Sequence, residues 1–284
     1  MVGPGTTSQA RTPLKKQIAT FLKDTFAVSE RRVCRVLGFS RTTHRRKSPE
    51  RAKDLLLVER LRALARERPR FGYRRLHLML GREGLAVNHK RVYRIYRAEG
   101  LAVRKKERRK LSLGERQQKP QVSAPNQRWS LDFMTDQLAS GQRFRVLNVV
   151  DDFTRECLVM HAGTSITGHD VVTALEAVVR FRGAPQAITT DNGPEFTGRA
   201  LELWTHKCDI MHHFIQPGKP VENAYIESFN GRVRDECLNL HWFQNLDQAR
   251  LILRRWRDDY NDVRPHTSLN GQTPNEFARL LQAG

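Results

Sequence analysis

The sequence predicts an α/β protein in which a mixed-sheet domain follows an all-α, helix-turn-helix-type region. Three observations carry that reading. The charge changes sign near residue 128, apolar periodicity switches from helical to alternating at Trp129, and a polar Gln- and Pro-rich stretch stands just before the switch. The 284 residues suffice for one large domain and a smaller appended one, because domains usually hold about 100–200 residues.

Residues 1–128 carry 34 Lys+Arg against 10 Asp+Glu, residues 129–284 carry 16 against 20, and the whole chain is formally +20. A basic front half suits a polyanion, most commonly nucleic acid, while an acidic back half suits divalent cations. The four cysteines, Cys34, Cys157, Cys208 and Cys237, form no CxxC pair, which argues against a zinc knuckle or a disulfide scaffold. The first 16 residues lack the apolar core of a signal peptide, and no run approaches the ~18 apolar residues of a membrane span. A cytoplasmic, nucleoid-associated location without a membrane partner is therefore expected.

The elements follow in order. Residues 1–48 read as a helix-turn-helix-like N-terminal region: a helix over 14–24, then VSERRVCRVLGFSRTTHRR, with Ser29 as N-cap and Val33, Val36 and Leu37 on one face. Gly38 makes the turn and Ser40 caps a second short helix. Residues 49–102 read as a second helical DNA-binding unit, in which an amphipathic helix over 49–68 precedes FGYRRLHLMLGREGLAVNHKRVYRIYRAEGL. Gly81 and Gly84 break the pattern and Asn88 caps the last helix. There Val92, Ile95 and Tyr96 alternate with Lys90, Arg91, Arg94 and Arg97, so one face packs and the other is free to meet DNA phosphates. Residues 103–125 are basic and then Gln/Pro/Ser-rich, as a linker along a phosphate backbone would be.

Residues 126–284 change character. RWSLDFMTDQL, FRVLNVVDDFT and ECLVMHAG read as three strands joined by short turns, the first at Ser140-Gly141. A helix over 168–182, a strand over 187–190, a helix over 196–207, a strand over 210–215 and a helix over 221–239 complete the order βββαβαβα, and a further amphipathic helix over 247–261 follows.

Three acids stand out by placement. Asp132 lies inside the first strand, where Trp129, Leu131 and Phe133 share one face and Ser130, Asp132 and Met134 the other. A carboxylate among so many apolar neighbours needs positive compensation, which a metal ion would supply. Asp191 follows the apolar strand AITT and precedes Asn192-Gly193-Pro194, a turn that also suits the start of a helix. Glu227 lies on a helix whose buried stripe is Ile226, Phe229, Val233 and Cys237, while Asn223, Glu227, Asn230 and Arg234 form a polar row. Asp136, Asp151, Asp152, Glu195, Glu222, Asp235 and Glu236 are rivals, Asp152 foremost.

Fifty-eight residues separate Asp132 from Asp191, and 35 separate Asp191 from Glu227. With that spacing the chain resembles DDE transposases and retroviral-type integrases. More narrowly, WSLDFM, TTDNGPEF, PGKPVENAYIESFNGRVRDECL and YNDVRPHTSLNGQTP resemble the OrfB-type catalytic subunit of insertion sequence 3 family transposases, over roughly residues 70–284. The resemblance implies an RNase H-like catalytic fold. It implies Asp132, Asp191 and Glu227 as catalytic residues and ligands of two Mg²⁺ ions, Mn²⁺ substituting, when DNA is bound. It also implies Arg234 as the family's basic position, Lys219 in a loop touching DNA, and Asn223 beside it. The expected partners are double-stranded DNA, both element terminal inverted repeats and target, a homo-oligomer on DNA, and an upstream OrfA-type product.

Two other classes remain in view. A plain RNase H-type nuclease would not need two helical DNA-binding groups, and a non-catalytic repressor would not need all three acids. No HHCC zinc module is visible in residues 1–128, which sets the chain apart from retroviral integrases. His266 reads as a residue that packs the terminal helix.

Overall fold

The computed structural model describes residues 8–45, 52–103, 122–215 and 223–283. The chain divides into two compact units, residues 1–58 and 59–284. In the first, α1 (Ser8–Phe26), α2 (Glu30–Val36) and α3 (Arg41–Arg45) follow one another. Gly38 takes φ +64°, the left-handed region in which a side chain is strained, and so turns the chain between α2 and α3. The Ser40 hydroxyl accepts from the Thr43 amide at 3.0 Å, capping α3. Ser29 stands at the N-cap of α2 without a side-chain cap bond. The expected apolar face is narrower than the spacing suggested: Val33 is buried together with Cys34, whereas Val36 is 75% exposed. A seven-residue helix has too few turns to bury a broad stripe.

The second unit opens with most of α4 (Ala52–Glu67), then α5 (Tyr73–Arg82) and α6 (His89–Ala98). Leu61 and Leu64 of α4, Leu76 and Leu80 of α5 and Val92 of α6 are buried. Gly81 does not break α5 but lies in its last turn; Gly84, at φ +81°, is the residue that ends it. The Asn88 side chain accepts from the Lys90 amide at 2.9 Å and starts α6 as expected. Residues 104–121, most of the expected linker, lie outside the described residues.

Behind them is a five-stranded mixed sheet of order β3-β2-β1-β4-β5. β1 (Arg128–Gln137), β2 (Arg143–Asp151) and β3 (Cys157–Gly163) form the expected antiparallel meander. β4 (Ala187–Thr190) and β5 (Met211–Phe214) add in parallel, because helices cross between them. Those helices are α7 (Gly168–Arg182), α8 (Pro194–Thr197) and α9 (Arg199–Lys207). The single helix expected over 196–207 is therefore two: Gly198 is extended at φ −75°, ψ 150°, and a Cβ there would stand 3.2 Å from the Pro194 carbonyl oxygen. After β5 come α10 (Ala224–Glu236), a 3-10 turn at Leu238–Leu240, α11 (Leu246–Asp262), a second such turn at Thr267–Leu269 and α12 (Pro274–Ala283).

The sheet separates two cores. Trp129 and Leu131 pack with Leu147, Ile188, Val171, Leu175 and Leu201 on one side. Met134, Val146 and Val150 pack with Ile226, Phe229 and Val233 of α10 and Leu253 of α11 on the other. The period-two alternation of β1 thus decides which face each residue serves, and it puts Asp132 on the α10 side with Met134. This is the mixed-sheet architecture that the sequence predicts.

Candidate active site

β1 and β4 run parallel with Ser130 opposite Thr189. Two residues further on in each, the same register brings Asp132 beside Asp191, where β4 has just ended. Asp191 Oδ1 accepts from the Gly193 amide at 3.0 Å, and a Cβ at Gly193 would lie 3.1 Å from that oxygen. The glycine therefore lets the chain fold tightly against the carboxylate before Pro194 opens α8.

The third acid arrives by way of a buried amide relay. Asn230 of α10 donates from Nδ2 to Asp132 Oδ2 at 2.7 Å, and Asn148 of β2 donates from Nδ2 to Asn230 Oδ1 at 2.8 Å. An ionised carboxylate only accepts, so it fixes which way the Asn230 amide points, and Asn148 must donate in turn. Asn148 Oδ1 has no partner among the described residues. Glu227 lies three residues before Asn230, one turn earlier on neighbouring helix surface, so the bond that ties Asn230 to Asp132 also brings Glu227 to the site. The sequence placed Asn230 in the polar row of this helix but gave no sign of Asn148, whose role depends on its lying opposite Asp132 across the β1–β2 pair.

The electrostatics register the convergence. Burial raises the Asp132 carboxyl from the usual 3.8 to about 6; hydrogen bonds from the Phe133 amide and Asn230 oppose the rise, while the charges of Asp191 and Glu227 add to it. Asp132 thus lies within electrostatic reach of Asp191 and Glu227, and among the described residues none of the three is in an ion pair with a cation of the protein. Among the described residues no three acids, histidines or cysteines are drawn close enough to form a closed metal cage. Carboxylate oxygens are the hard donors that Mg²⁺ or Mn²⁺ takes, so these residues could hold such an ion.

The rival acids have partners. Asp152, 1% exposed, accepts from Arg128 Nε at 2.5 Å and Ser130 Oγ at 2.7 Å. Ser130 shares a face with Asp132 two residues along β1, so Asp152 is a neighbour of the site whose charge Arg128 already matches. Asp151 accepts from the amides of Asn126, Phe153 and Thr154 and from Arg182. Glu195 pairs with Arg145, and Asp136 stands 3.8 Å from Arg234. Glu236 is held by Arg264 at 2.7 Å and Arg75 at 2.9 Å. Asp235 is exposed, and Glu222 lies outside the described residues.

Of the other expected site residues, Arg234 donates to the Thr135 carbonyl at 3.0 Å, which holds its half-exposed guanidinium against the end of β1. Asn223, expected as a DNA contact, is 4% exposed at the start of α10 and its Oδ1 has no partner; a direct contact from this conformation would need it uncovered. Lys219 lies outside the described residues. His266 is buried against Tyr260, and burial followed by the Arg264 charge lowers it to about 2, so it packs as a neutral ring. On α6, Val92, Ile95 and Tyr96 are buried, Lys90, Arg94 and Arg97 are exposed and Arg91 is half-buried. Tyr73 of α5 stacks against Tyr93 and Tyr96 and fixes the helix that carries the basic face. Among the described residues no helix is long and apolar enough to cross a membrane.

Comparison with known proteins agrees with this architecture. Residues 122–220 and 208–274 each match an integrase core domain family, and residues 51–110 match an HTH-like domain family. The chain is 49% identical over 263 residues to the insertion element IS407 uncharacterized 31.7 kDa protein of Burkholderia multivorans, covering 92% of this chain and 95% of that protein. It is also 49% identical over 251 residues to the insertion element IS476 uncharacterized 39.2 kDa protein of Xanthomonas euvesicatoria, covering 88% of this chain and 72% of that one. Among solved structures, the simian T-cell lymphotropic virus intasome in complex with PP2A regulatory subunit B56 gamma superposes with a TM-score of 0.50 at 16% identity, covering 77% of this chain and 74% of that chain. The fold is that of the retroviral integrase core, RNase H-like. The chain belongs to the insertion sequence 3 family of transposases, with an integrase core domain behind an HTH-like domain.

Proposed function

We propose that this transposase cuts one DNA strand at each end of its element and joins the freed 3′-hydroxyl to target DNA, with Asp132, Asp191 and Glu227 as the catalytic carboxylates. The observation that supports the reading is that the β1–β4 register and the Asn230–Asp132 bond bring Asp191 and Glu227 toward Asp132, where among the described residues no cation of the protein pairs with it. They are the residues that would hold two Mg²⁺ ions, or Mn²⁺, once DNA is bound. Bound there, the ions would neutralise charge on the phosphate and favour the deprotonated nucleophile.

The chain's own residues do the rest. Asn148 and Asn230 orient Asp132 through their amide relay. Arg234, anchored to Thr135, offers a half-exposed cation near the end of β1 for a DNA phosphate; Lys219 is proposed as a further DNA contact, and Asn223, buried here, would reach DNA only once uncovered. Lys90, Arg91, Arg94 and Arg97 of α6 present the groove-docking face. In the first step a water oxygen attacks the scissile phosphorus in line and gives its proton to solvent as the bond to the 3′ oxygen breaks; in the second the freed 3′-hydroxyl oxygen attacks a target phosphorus as the target's own bond to its 3′ oxygen breaks and that oxygen leaves as a new 3′-hydroxyl, with no covalent enzyme intermediate.

The functional division of the chain is residues 1–48 and 49–102 for DNA binding, 103–125 as linker and 126–284 for catalysis. Two element ends must be held together, so the working species is a homo-oligomer on DNA, with an OrfA-type product as upstream partner or fusion, acting in the cytoplasm. The test is strand cleavage and joining by purified protein with Mn²⁺ and a duplex bearing the terminal repeat. Wild type should do both, and Glu227→Gln should bind the duplex and do neither. Undiminished joining by Glu227→Gln would remove Glu227 from the site.

A further inference from the structure

A cleft of about 600 Å³ runs along the outer face of α10, lined there by Glu227, Gly231, Arg232 and Asp235 and on the facing side by Arg70 and Arg75 at the start of α5. Its two walls belong to the HTH-like segment and the integrase core. Its position is informative because the candidate catalytic glutamate is one of its lining residues.

Gly231 sits in the interior of α10, where glycine costs about 0.5–1 kcal/mol relative to alanine. Packing does not require it: a Cβ built there meets nothing within 4 Å. What the missing side chain leaves is bare helix backbone on the floor of the cleft, one turn beyond Glu227.

The charges point the same way. Glu236 is occupied by Arg264 through both oxygens and by Arg75. Arg232 donates to the carbonyl and hydroxyl of Ser228 on its own helix and, among the described residues, is in no ion pair with an acid. Burial first, and then the charge of Arg264, hold both Arg75 and Arg232 below the usual guanidinium range; Arg75 shares Glu236 with Arg264, and Arg232, among the described residues, has no acid of its own. Glu227 would be neutralised by metal, and Asp235 is an exposed acid at the rim.

We propose that this cleft seats the sugar-phosphate backbone of the DNA strand entering the active site, lying on Gly231 with a phosphate held by Arg232 and Arg75. The inference rests on reading Glu227 as catalytic. Arg232 is five residues from Glu227, about 7.5 Å along the helix, or roughly two base steps of a strand at ~3.4 Å each. Recognition of this kind is independent of base sequence.

The experiment measures anisotropy of a fluorescein-labelled duplex of random sequence with a single-stranded 3′ extension, titrated with full-length protein at several salt concentrations. Arg232→Ala should weaken binding about tenfold and flatten the log–log salt slope by about one. Gly231→Leu should leave the melting temperature unchanged or raised, since leucine favours helix, and yet weaken binding at least as much. Wild-type affinity and slope in both variants would overturn the proposal. If those variants also join strands normally while Glu227→Gln joins none, the cleft is refuted and the catalytic reading stands. If they lose binding while Glu227→Gln still joins, the cleft holds DNA and the catalytic reading falls.

Discussion

The beginning and the middle of β1 meet buried or partly buried carboxylates that are treated in opposite ways. At its beginning, Asp152 is neutralised by Arg128 and Ser130, and nearby Arg182 spans Asp151 and Glu156. Four residues along the strand, Asp132 meets amides and two further acids instead. Burial raises the carboxyl at both places, and at Asp152 the Arg128 bond opposes it. The difference teaches that acidity in this sheet is not itself the signal. The Asp152 cluster holds its own counter-cation, whereas among the described residues no cation of the protein pairs with Asp132.

The sharpest way to break the comparison is to remove charge from the Asp132 cluster. Asp191→Asn should lower strand joining by about 10³-fold or more while duplex binding persists, because a metal ligand is lost and no packing is disturbed; gel assays of joined products and anisotropy check the two halves.

Arg128→Met attacks the Asp152 cluster and should act on stability. A buried carboxylate stripped of its partner costs on the order of 3–5 kcal/mol, readable by urea denaturation, and joining measured below the melting transition should remain near wild type. A selective loss of joining without loss of stability would place Asp152 in the site after all.

Asn148→Ala is the intermediate case. It deletes the donor that holds Asn230, leaving a buried acceptor unsatisfied, so stability should fall by about 1–2 kcal/mol. As a positioning residue behind a metal ligand it should cost about 10–100-fold in joining, with a higher Mn²⁺ concentration needed for half-maximal activity. An unchanged Mn²⁺ requirement would make the relay a matter of packing alone.

Much of this was legible in the sequence because the signals were local. The alternation of β1 put Asp132 on one face, AITT followed by Asn192-Gly193-Pro194 set Asp191 at a strand end, and the helical stripe from Ile226 to Cys237 put Glu227 on the polar side. What stayed hidden depended on contacts distant along the chain. Arg128 meets Asp152 only through the β1–β2 pairing, Asn148 reaches Asn230 across 82 residues, and the clamp of Arg75 and Arg264 on Glu236 joins three separate segments. The helix expected over 196–207 ran through Gly198, whose extended backbone close to the Pro194 carbonyl splits it and has no signature in periodicity. Val36 erred for a different reason: a one-face reading assumes something to pack against.

The most direct test is unfolding of the wild type and of Asp132→Asn across pH 4 to 8, with and without Mn²⁺. A carboxyl whose folded value is raised from 3.8 to about 6 binds its proton more tightly when folded, so metal-free stability contributed by Asp132 declines as pH rises through that window. The penalty is on the order of 2–3 kcal/mol and is complete above about pH 6. Mn²⁺ should offset it, so the stabilisation by metal should grow as pH rises through about 6 in the wild type and be largely absent in Asp132→Asn. Equal stabilisation of both proteins by Mn²⁺, or none in the wild type at pH 8, would contradict a metal site built on Asp132.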